Sequence, residues 1–320
     1  MQKYVIRRIL MCIPVLIGIS LIIFLLVNAM PGNPFSHMID PKMTVADKEA
    51  MLRSIGFYDP IHVKYFKWIG QVLQGNLGYS IRYNTPVTQV IGERLPFTFV
   101  LAFLSLLVST AIAIPFGVIS SSKKNSFTDY AVTFISFFGI SIPAFFFGLL
   151  LVKIFAVDLK IFPISGVVSA GAGYTGLMHI WDMAMHLFLP TMMLSLLSIA
   201  QLMRYTRSSM LEVLNMDYIR TARAKGLSEK VVIYKHALRN GLIPVITMLT
   251  LQISGLFGGA LMTETIFSLP GMGKLMFQSV NNRDYPLIMG CTMMMAVVVL
   301  LSNLLADILY AFIDPRIKYD

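Results

Sequence analysis

Few residues of the chain have types and spacing that could perform chemistry. His179, Asp182 and His186 are three and four residues apart, so on a helix their side chains could share one side and bind a metal ion. The stretch stands where an apolar segment begins, however, and polar side chains are ordinary at a membrane interface. We therefore favour an interfacial role and expect no metal site.

A second candidate is the segment Gly-Met-Gly-Lys that ends at Lys274, because a glycine-rich loop with a lysine can bind phosphate groups. Ser268 stands where the first glycine of that pattern should be, and Leu275 stands where Ser or Thr should be. No H-E-x-x-H or G-x-S-x-G segment occurs, and no Ser/His/Asp arrangement is readable. We expect no catalytic residue, no cofactor bound by this chain and no nucleotide hydrolysis by it.

The composition is that of an integral membrane protein. The 320 residues are 56% hydrophobic and 13% charged, with a mean hydropathy of +0.73, whereas soluble domains carry about 25% charged residues. The net charge of +10 would suggest a nucleic-acid partner in a soluble protein. In a membrane protein it reflects the sidedness of the loops, so we expect a lipid bilayer and no nucleic acid as partner. Cys12 and Cys291 both fall in apolar segments, where packing is their expected role.

Apolar segments of membrane length predict an all-α protein with six transmembrane helices. The first, residues 9–30, has no charged residue and is long enough to cross a bilayer at about 1.5 Å per residue. It is too long for a signal peptide, so we expect it to be retained. Pro143 predicts a kink in the third segment. The other five segments are 97–120, 130–152, 186–203, 242–262 and 286–306.

A polar insert, residues 31–96, follows the first span and predicts two short helices. Thr44 can cap the first, which Gly56 closes, and Asp59-Pro60 opens the second, whose apolar residues form one stripe. We divide the chain into a basic start with the first span (1–30), an extracytoplasmic insert (31–96) and a five-helix core (97–320), which contains a cytoplasmic loop at 204–241.

The distribution of basic residues predicts the orientation. With six spans both termini lie on one side, and that side carries 15 of the 26 Lys and Arg residues. Seven of the remaining 11 lie in the long insert, and short loops are the ones that determine orientation. We therefore predict that both termini and the loop at 204–241 are cytoplasmic.

The stretch 216–244 is polar and basic although apolar segments flank it. Ala222 and Gly226 are four residues apart, so on a helix they would share a face that another surface could approach closely. Gly226 is suited to end that helix, and Ser228 can cap a second helix that carries Glu229 in its first turn. Two short helices with a sharp break indicate a docking device, and the alternative is an ordinary positive-inside loop that only fixes topology.

The same stretch carries a resemblance to a known family. It resembles the "EAA" coupling loop of ABC-importer permeases at Ala222, Gly226 and Pro244, and departs from it at Arg220 and Thr221. The segments DYIRTARAKG and HALRNGLIP are similar to the version in the B-type permease subunit of the dipeptide/oligopeptide/nickel branch. Further similar segments are YVIRRIL, PGNP, GNLGYS, PVTQVIGERLPFT, the E-x-I-F-x-x-P-G-x-G element, RDYP, DILYAFIDPRI and the closing DPRI.

The resemblance implies a permease subunit of an ATP-driven importer for oligopeptides or dipeptides in a prokaryotic plasma membrane. The implied partners are a paralogous permease, which would make a heterodimer, two cytoplasmic ATPases that bind ATP and Mg²⁺, and an extracytoplasmic peptide-binding protein. The implied ATPase-coupling residues are Asp217, Arg220, Thr221, Ala222, Arg223 and Gly226. The implied outer gate, a re-entrant elbow at the outer mouth, comprises Glu264, Phe267, Pro270, Gly271 and Gly273.

Three alternatives remain at this point. An importer of nickel or a metal chelate is the closest, because the resemblance covers that substrate as well. A secondary transporter would need inverted repeats and ionisable groups at the membrane midplane, and the spans carry almost none. A membrane-anchored receptor would not need the docking face predicted at Ala222 and Gly226.

Overall fold

The computed structural model describes residues 2–30, 43–54, 56–258 and 260–313, which form thirteen helices without a strand among them. An isolated antiparallel bridge joins Tyr79 and Pro86. Two π-helical segments, Val152–Asp158 and Val232–Ala237, extend α6 and α9. The helices are α1 Gln2–Ala29, α2 Val45–Ser54, α3 Ile61–Leu73, α4 Val87–Ser122, α5 Phe127–Ser141, α6 Ala144–Leu151, α7 Gly176–Leu214, α8 Asp217–Ala224, α9 Glu229–Val231, α10 Leu238–Gly258, α11 Leu261–Ile266, α12 Met272–Asn281 and α13 Tyr285–Ile313.

Four of the described helices, within α1, α4, α7 and α13, are long and apolar enough to cross a membrane. A fifth candidate is α5 together with α6 and its π-helical extension, which are bent by 105° at a break. Pro143 lies in that break, and the preceding Ile142 has an extended backbone, so the kink predicted at Pro143 is confirmed. The segment 242–262 corresponds to the 21-residue α10, but the number six stays a prediction.

Helix α4 contains the predicted second span, 97–120, and begins ten residues before it. Helix α4 begins at Val87, inside the region assigned to the polar insert, because Val87, Val90 and Ile91 recur at helical spacing and are buried. They form a cluster with Met272, Leu275, Leu287 and Cys291. Polar residues lie between these positions, so the amphipathic start of the helix reads in the sequence as part of the polar insert.

The described chain divides into two compact units, Met1–Pro96 with Met272–Leu300, and Phe97–Gly271 with Leu301–Asp320. In the first unit α2 and α3 form as predicted: Thr44 Oγ1 accepts from Asp47 N at 3.2 Å, and the stripe of α3 packs Tyr65 and Trp68 against Phe24. The segment PGNP and the residues after Ile313 lie outside the described residues.

A buried carboxylate organises another part of the first unit. Asp284 accepts hydrogen bonds from Ser80 Oγ at 2.5 Å and from Arg82 N at 3.1 Å. Its other oxygen accepts from Leu287 N at 3.3 Å and so caps α13. The GNLGYS and RDYP segments therefore meet at one buried side chain.

Helix α7, 39 residues long, is the centre of the second unit, where α5, α6 and α10 pack against it. The expected fourth span, 186–203, is only its middle part. A side chain at Gly139 would approach Ala200 Cβ to 3.0 Å, and one at Gly148 would collide with Met193. These two glycines therefore allow α5 and α6 to approach α7 closely.

Candidate functional site

The eight-residue helix α8 lies on the end of α7 through a small apolar face. Ile219 and Ala222, three residues apart, are its two buried side chains. They belong to one cluster with residues of α4, α7 and the π-helical segment before α10: Val118, Met210, Val213, Val232 and Ala237. The amphipathic pattern DYIRTARA thus fixes one face of α8 inward and leaves its charged face outward.

The predicted docking face of small residues is wrong. Ala222 is buried within the chain's own cluster, and Gly226 is not on the helix at all, since α8 ends at Ala224 with Lys225 as its C-cap. Gly226 has φ +76° and open space around it. Its predicted role as the glycine that ends the helix is confirmed, because that left-handed backbone is strained for other residues.

The outward surface of α8 is charged. The side chains of Asp217 and Arg220 are 95% and 72% exposed and form an ion pair at 3.3 Å. Thr221 is exposed, and its hydroxyl donates to Asp217 O at 3.0 Å. These three residues, implied to contact an ATPase, are therefore accessible on one short helix.

Arg223 joins α8 to the start of the next helix. Its guanidinium donates to both carboxylate oxygens of Glu229, at 2.7 Å and 3.2 Å. These hydrogen bonds lower the pKa of Glu229 below its ordinary value and raise the pKa of Arg223. Ser228 occupies the predicted N-cap position, but its side chain makes no capping bond.

The part of α7 that supports α8 is held by a partly buried ion pair that sequence reasoning missed. Arg207 donates from Nε to Asp129 Oδ1 at 2.6 Å and from Nη2 to Oδ2 at 2.9 Å. The same carboxylate accepts from Ser120 Oγ at 2.5 Å and from Asn125 N at 3.0 Å. One buried carboxylate thus joins α4, α5 and α7. The available signal was an acidic residue beside an apolar segment.

Two close contacts hold the same part of α7 from other sides. A side chain at Gly117 would lie 2.6 Å from Thr206 Cβ, and one at Gly241 would lie 2.5 Å from Met210 Sδ. Ser209 Oγ also donates to Gly241 O at 2.7 Å. We call residues 206–213 of α7 with these contacts the platform, because Met210 and Val213 belong to the cluster that buries the apolar face of α8.

The five residues of the implied outer gate surround the turn between α11 and α12. Glu264 is fully buried and accepts a hydrogen bond from Thr98 Oγ1 at 3.2 Å. A side chain at Gly271 would collide with the Glu264 carboxyl group, so only glycine fits there. Phe267 is buried, and its carbonyl accepts from Gly166 N at 2.9 Å.

The remaining gate positions follow the same turn. Pro270 is partly buried, and Gly273 lies in the first turn of α12. Ser268, at φ +53°, makes the reversal, and Leu269 N donates to Glu264 O at 2.8 Å. The segment is thus a packed elbow with helix on both sides, and Lys274 sits in α12 rather than in a phosphate-binding loop.

The histidine-rich stretch in α7 has a structural explanation. Asp182 accepts hydrogen bonds from Ser169 N and Oγ, both at 2.7 Å, and its carbonyl oxygen lies 2.8 Å from His186 Nδ1. Within the described ranges no group of three His, Cys, Asp or Glu could hold a metal ion. Asp182 therefore fastens the Gly- and Ser-rich loop 163–175 to α7.

Comparison with known proteins identifies the family. Residues 113–319 match the binding-protein-dependent transport system inner membrane component, and residues 1–102 match the N-terminal component of the same systems. The chain belongs to this family. The relatives of this chain are permease subunits of ABC transporters, so the membership inferred from the resemblance to the B-type permease is confirmed.

Several curated permeases match the whole chain. The oligopeptide transport system permease protein AppB of Bacillus subtilis is 48% identical over all of both chains. The dipeptide transport system permease protein DppB of Alkalihalophilus pseudofirmus is 40% identical, again over both full lengths. DppB of Escherichia coli K12 is 37% identical over the full chain and 99% of its own length. The family and the apolar helices make this chain a multi-pass membrane permease.

Proposed function

We propose that this permease is one of two membrane subunits of an ATP-driven importer for peptides. The family resemblance implies a peptide or a nickel substrate, and the names of the relatives favour peptides. The second membrane subunit is a paralogue, and two cytoplasmic ATPases bind the ATP and Mg²⁺. An extracytoplasmic protein delivers the peptide. The termini and α8 are on the cytoplasmic side.

The observation that carries this proposal is the charged outward surface of α8 on its platform. Helix α8 exposes Asp217, Arg220 and Thr221, and its other face is buried in a cluster with residues of α7 and the π-helical segment before α10. Such a helix can be displaced by a partner without folding or unfolding. ATP binding closes the ATPases, which displaces α8 together with the platform. Packed helices transmit such displacement because their contacts are close and stiff.

The elbow contributes at the other end of the cycle. Glu264, Phe267 and Gly271 hold a non-helical turn between buried residues, which a membrane tolerates only where the turn packs against protein or lines a cavity. We assign this elbow, with Pro270 and Gly273, to the outer gate. Its movement opens the path toward the peptide-binding protein, and the peptide then crosses between the two permeases.

The proposal is tested on the native complex, solubilised in detergent and captured through this chain. Co-purified ATPases, whose hydrolysis rises on addition of peptide with the binding protein, are the expected result. If only nickel or a metal chelate stimulated ATP hydrolysis, the substrate would be a metal and not a peptide. A preparation without ATPase would contradict the importer and favour the membrane receptor.

A substitution locates the coupling surface in the same assay. Gly226→Leu places a bulky side chain at the open, left-handed position beside α8. We expect uptake and peptide-stimulated ATP hydrolysis to fall, with the amount of assembled complex unchanged. Full uptake and full stimulation in this variant would refute the coupling role of α8.

A further inference from the structure

A small cleft between α5 and α7 has walls of two different kinds. It encloses about 140 Å³, and α5 contributes Thr133, Ser136 and Phe137 to its lining, with Arg204 and Arg207 on the α7 side. The transport mechanism proposed above does not use it. Two guanidinium groups beside an aromatic ring form an amphipathic site, suited to a ligand with an anionic head and an apolar body.

The charge in the cleft is not fully neutralised. Arg207 uses Nε and Nη2 for Asp129, which offsets its charge. Arg204 is exposed, and in the described part of the chain no carboxylate lies within ion-pair distance of it. One net positive charge therefore remains, and the strong hydrogen-bond partners of a guanidinium are carboxylate and phosphate groups.

The depth of Arg204 follows from the sequence. Residues 187–203 of α7 contain no charged side chain, and Arg204 is the first charged residue after them. A charged residue that directly follows an apolar stretch of a spanning helix lies at the level of the lipid headgroups. The guanidinium of Arg204 is thus placed where membrane phosphates are.

The surface of α5 beside the cleft is apolar and outward-facing. Phe134 is 71% exposed, and Phe137 and Phe138 are about half exposed. Phe134 and Phe138 stack with ring centroids 6.4 Å apart. This aromatic surface continues from the cleft along the helix that enters the membrane, which is the course an acyl chain would take from a headgroup bound at Arg204.

We propose that this cleft binds an anionic phospholipid, with its phosphate at Arg204 and Arg207 and its acyl chains along the α5 aromatic surface. The lipid would bridge α5 and α7 next to the Asp129–Arg207 pair that fixes the platform. The proposal requires the membrane location of the chain but not the identity of the transported substrate.

The test uses the complete importer complex in nanodiscs of phosphatidylcholine, titrated with phosphatidylglycerol and followed by native mass spectrometry. We expect Arg204→Gln to weaken phosphatidylglycerol binding about fivefold, since one basic residue near the surface contributes about that factor for an anionic lipid. Phosphatidylcholine binding is expected to stay unchanged. Arg204→Lys should retain most of the affinity.

Lys124→Gln is the matched control, because it removes one exposed charge from the turn between α4 and α5 outside the cleft. Equal phosphatidylglycerol binding by wild type and Arg204→Gln would overturn the proposal. So would equal weakening by Lys124→Gln, which would indicate a diffuse charge effect. Displacement by millimolar inorganic phosphate would identify a free-anion site instead, and a complex that binds no lipid would show the cleft covered by a partner subunit.

Discussion

Two short connections in this permease share a left-handed backbone residue and differ in their surroundings. After α8 the chain reverses at Gly226, and after α11 it reverses at Ser268, each with a left-handed backbone. Open space surrounds Gly226, and charged side chains flank it. The elbow instead buries Phe267 and Glu264. The first connection is open to its surroundings, and the second is closely packed.

The largest effect is expected at the platform. Arg207→Gln leaves the carboxylate of Asp129, which is 3% exposed, without its charged partner. Removing one member of a fully buried pair costs about 3–5 kcal/mol, and we expect a smaller loss here because Arg207 is 28% exposed. A thermal unfolding measurement on the complex would detect this loss. Lys153→Gln is the control, since the Lys153–Asp158 pair is exposed and worth less than about 1 kcal/mol. Equal effects would show that the platform is not fixed by charge.

Next is the glycine of the elbow. Gly271→Ala forces a methyl group into the Glu264 carboxyl group, and overpacking of this kind costs about 1–3 kcal/mol. Unfolding of the complex in denaturant provides the measurement. Gly75→Ala is a suitable comparison within the chain, because it has open space and only a left-handed backbone to strain. A milder effect at Gly271 than at Gly75 would refute the packed elbow.

Gly226→Ala sharpens the contrast between the two connections. We expect a stability loss of only about 1 kcal/mol, from backbone strain without any clash. Should this variant destabilise the complex as much as Gly271→Ala, the difference between an open and a packed connection would disappear.

Arg220→Ala should separate function from stability. The side chain is 72% exposed, so its loss changes the unfolding free energy by less than about 0.5 kcal/mol. Peptide uptake and peptide-stimulated ATP hydrolysis are nevertheless expected to fall, since the charged surface of α8 is the proposed contact. Unchanged uptake would restrict α8 to a topological role.

The smallest effect concerns pH. The pKa of Glu229 lies below its ordinary value of 4.5 in the folded protein, because Arg223 donates two hydrogen bonds to it. A lowered pKa contributes stability that is complete above the ordinary pKa and is lost as the pH falls through the folded-state pKa. The stability difference between wild type and Glu229→Gln should therefore vanish in acid. A difference that grows below pH 4 would contradict the pairing.

Local patterns predicted the local structure of this protein. The glycines at positions 56 and 226 end helices where expected, and Pro143 breaks the third apolar segment. What the sequence could not reveal are polar contacts between distant positions. Asp129 and Arg207 are 78 residues apart in the sequence, and Thr98 and Glu264 are 166 residues apart. Periodicity identifies the face of a helix, but it does not say which face another helix will meet.

The inward turn of Ala222 shows the same limit. Spacing alone placed this small residue on a contact face, and the contact turned out to be with the chain's own α7 cluster. The candidate coupling residues are thus of two kinds. Some attach α8 to the rest of the chain, and the others lie on its exposed surface.

The length of helix α7 has a consequence for how far its ends can move. Its 39 residues span about 58 Å, roughly twice the hydrocarbon thickness of a bilayer. It is fastened near one end through Asp182 to Ser169 and near the other through Arg207 to Asp129. A tilt of about 5° would swing one end by about 5 Å relative to the other, close to the pitch of one helical turn. A tilt of a few degrees is therefore enough to displace the end of α7 beside α8 by a distance close to one helical pitch.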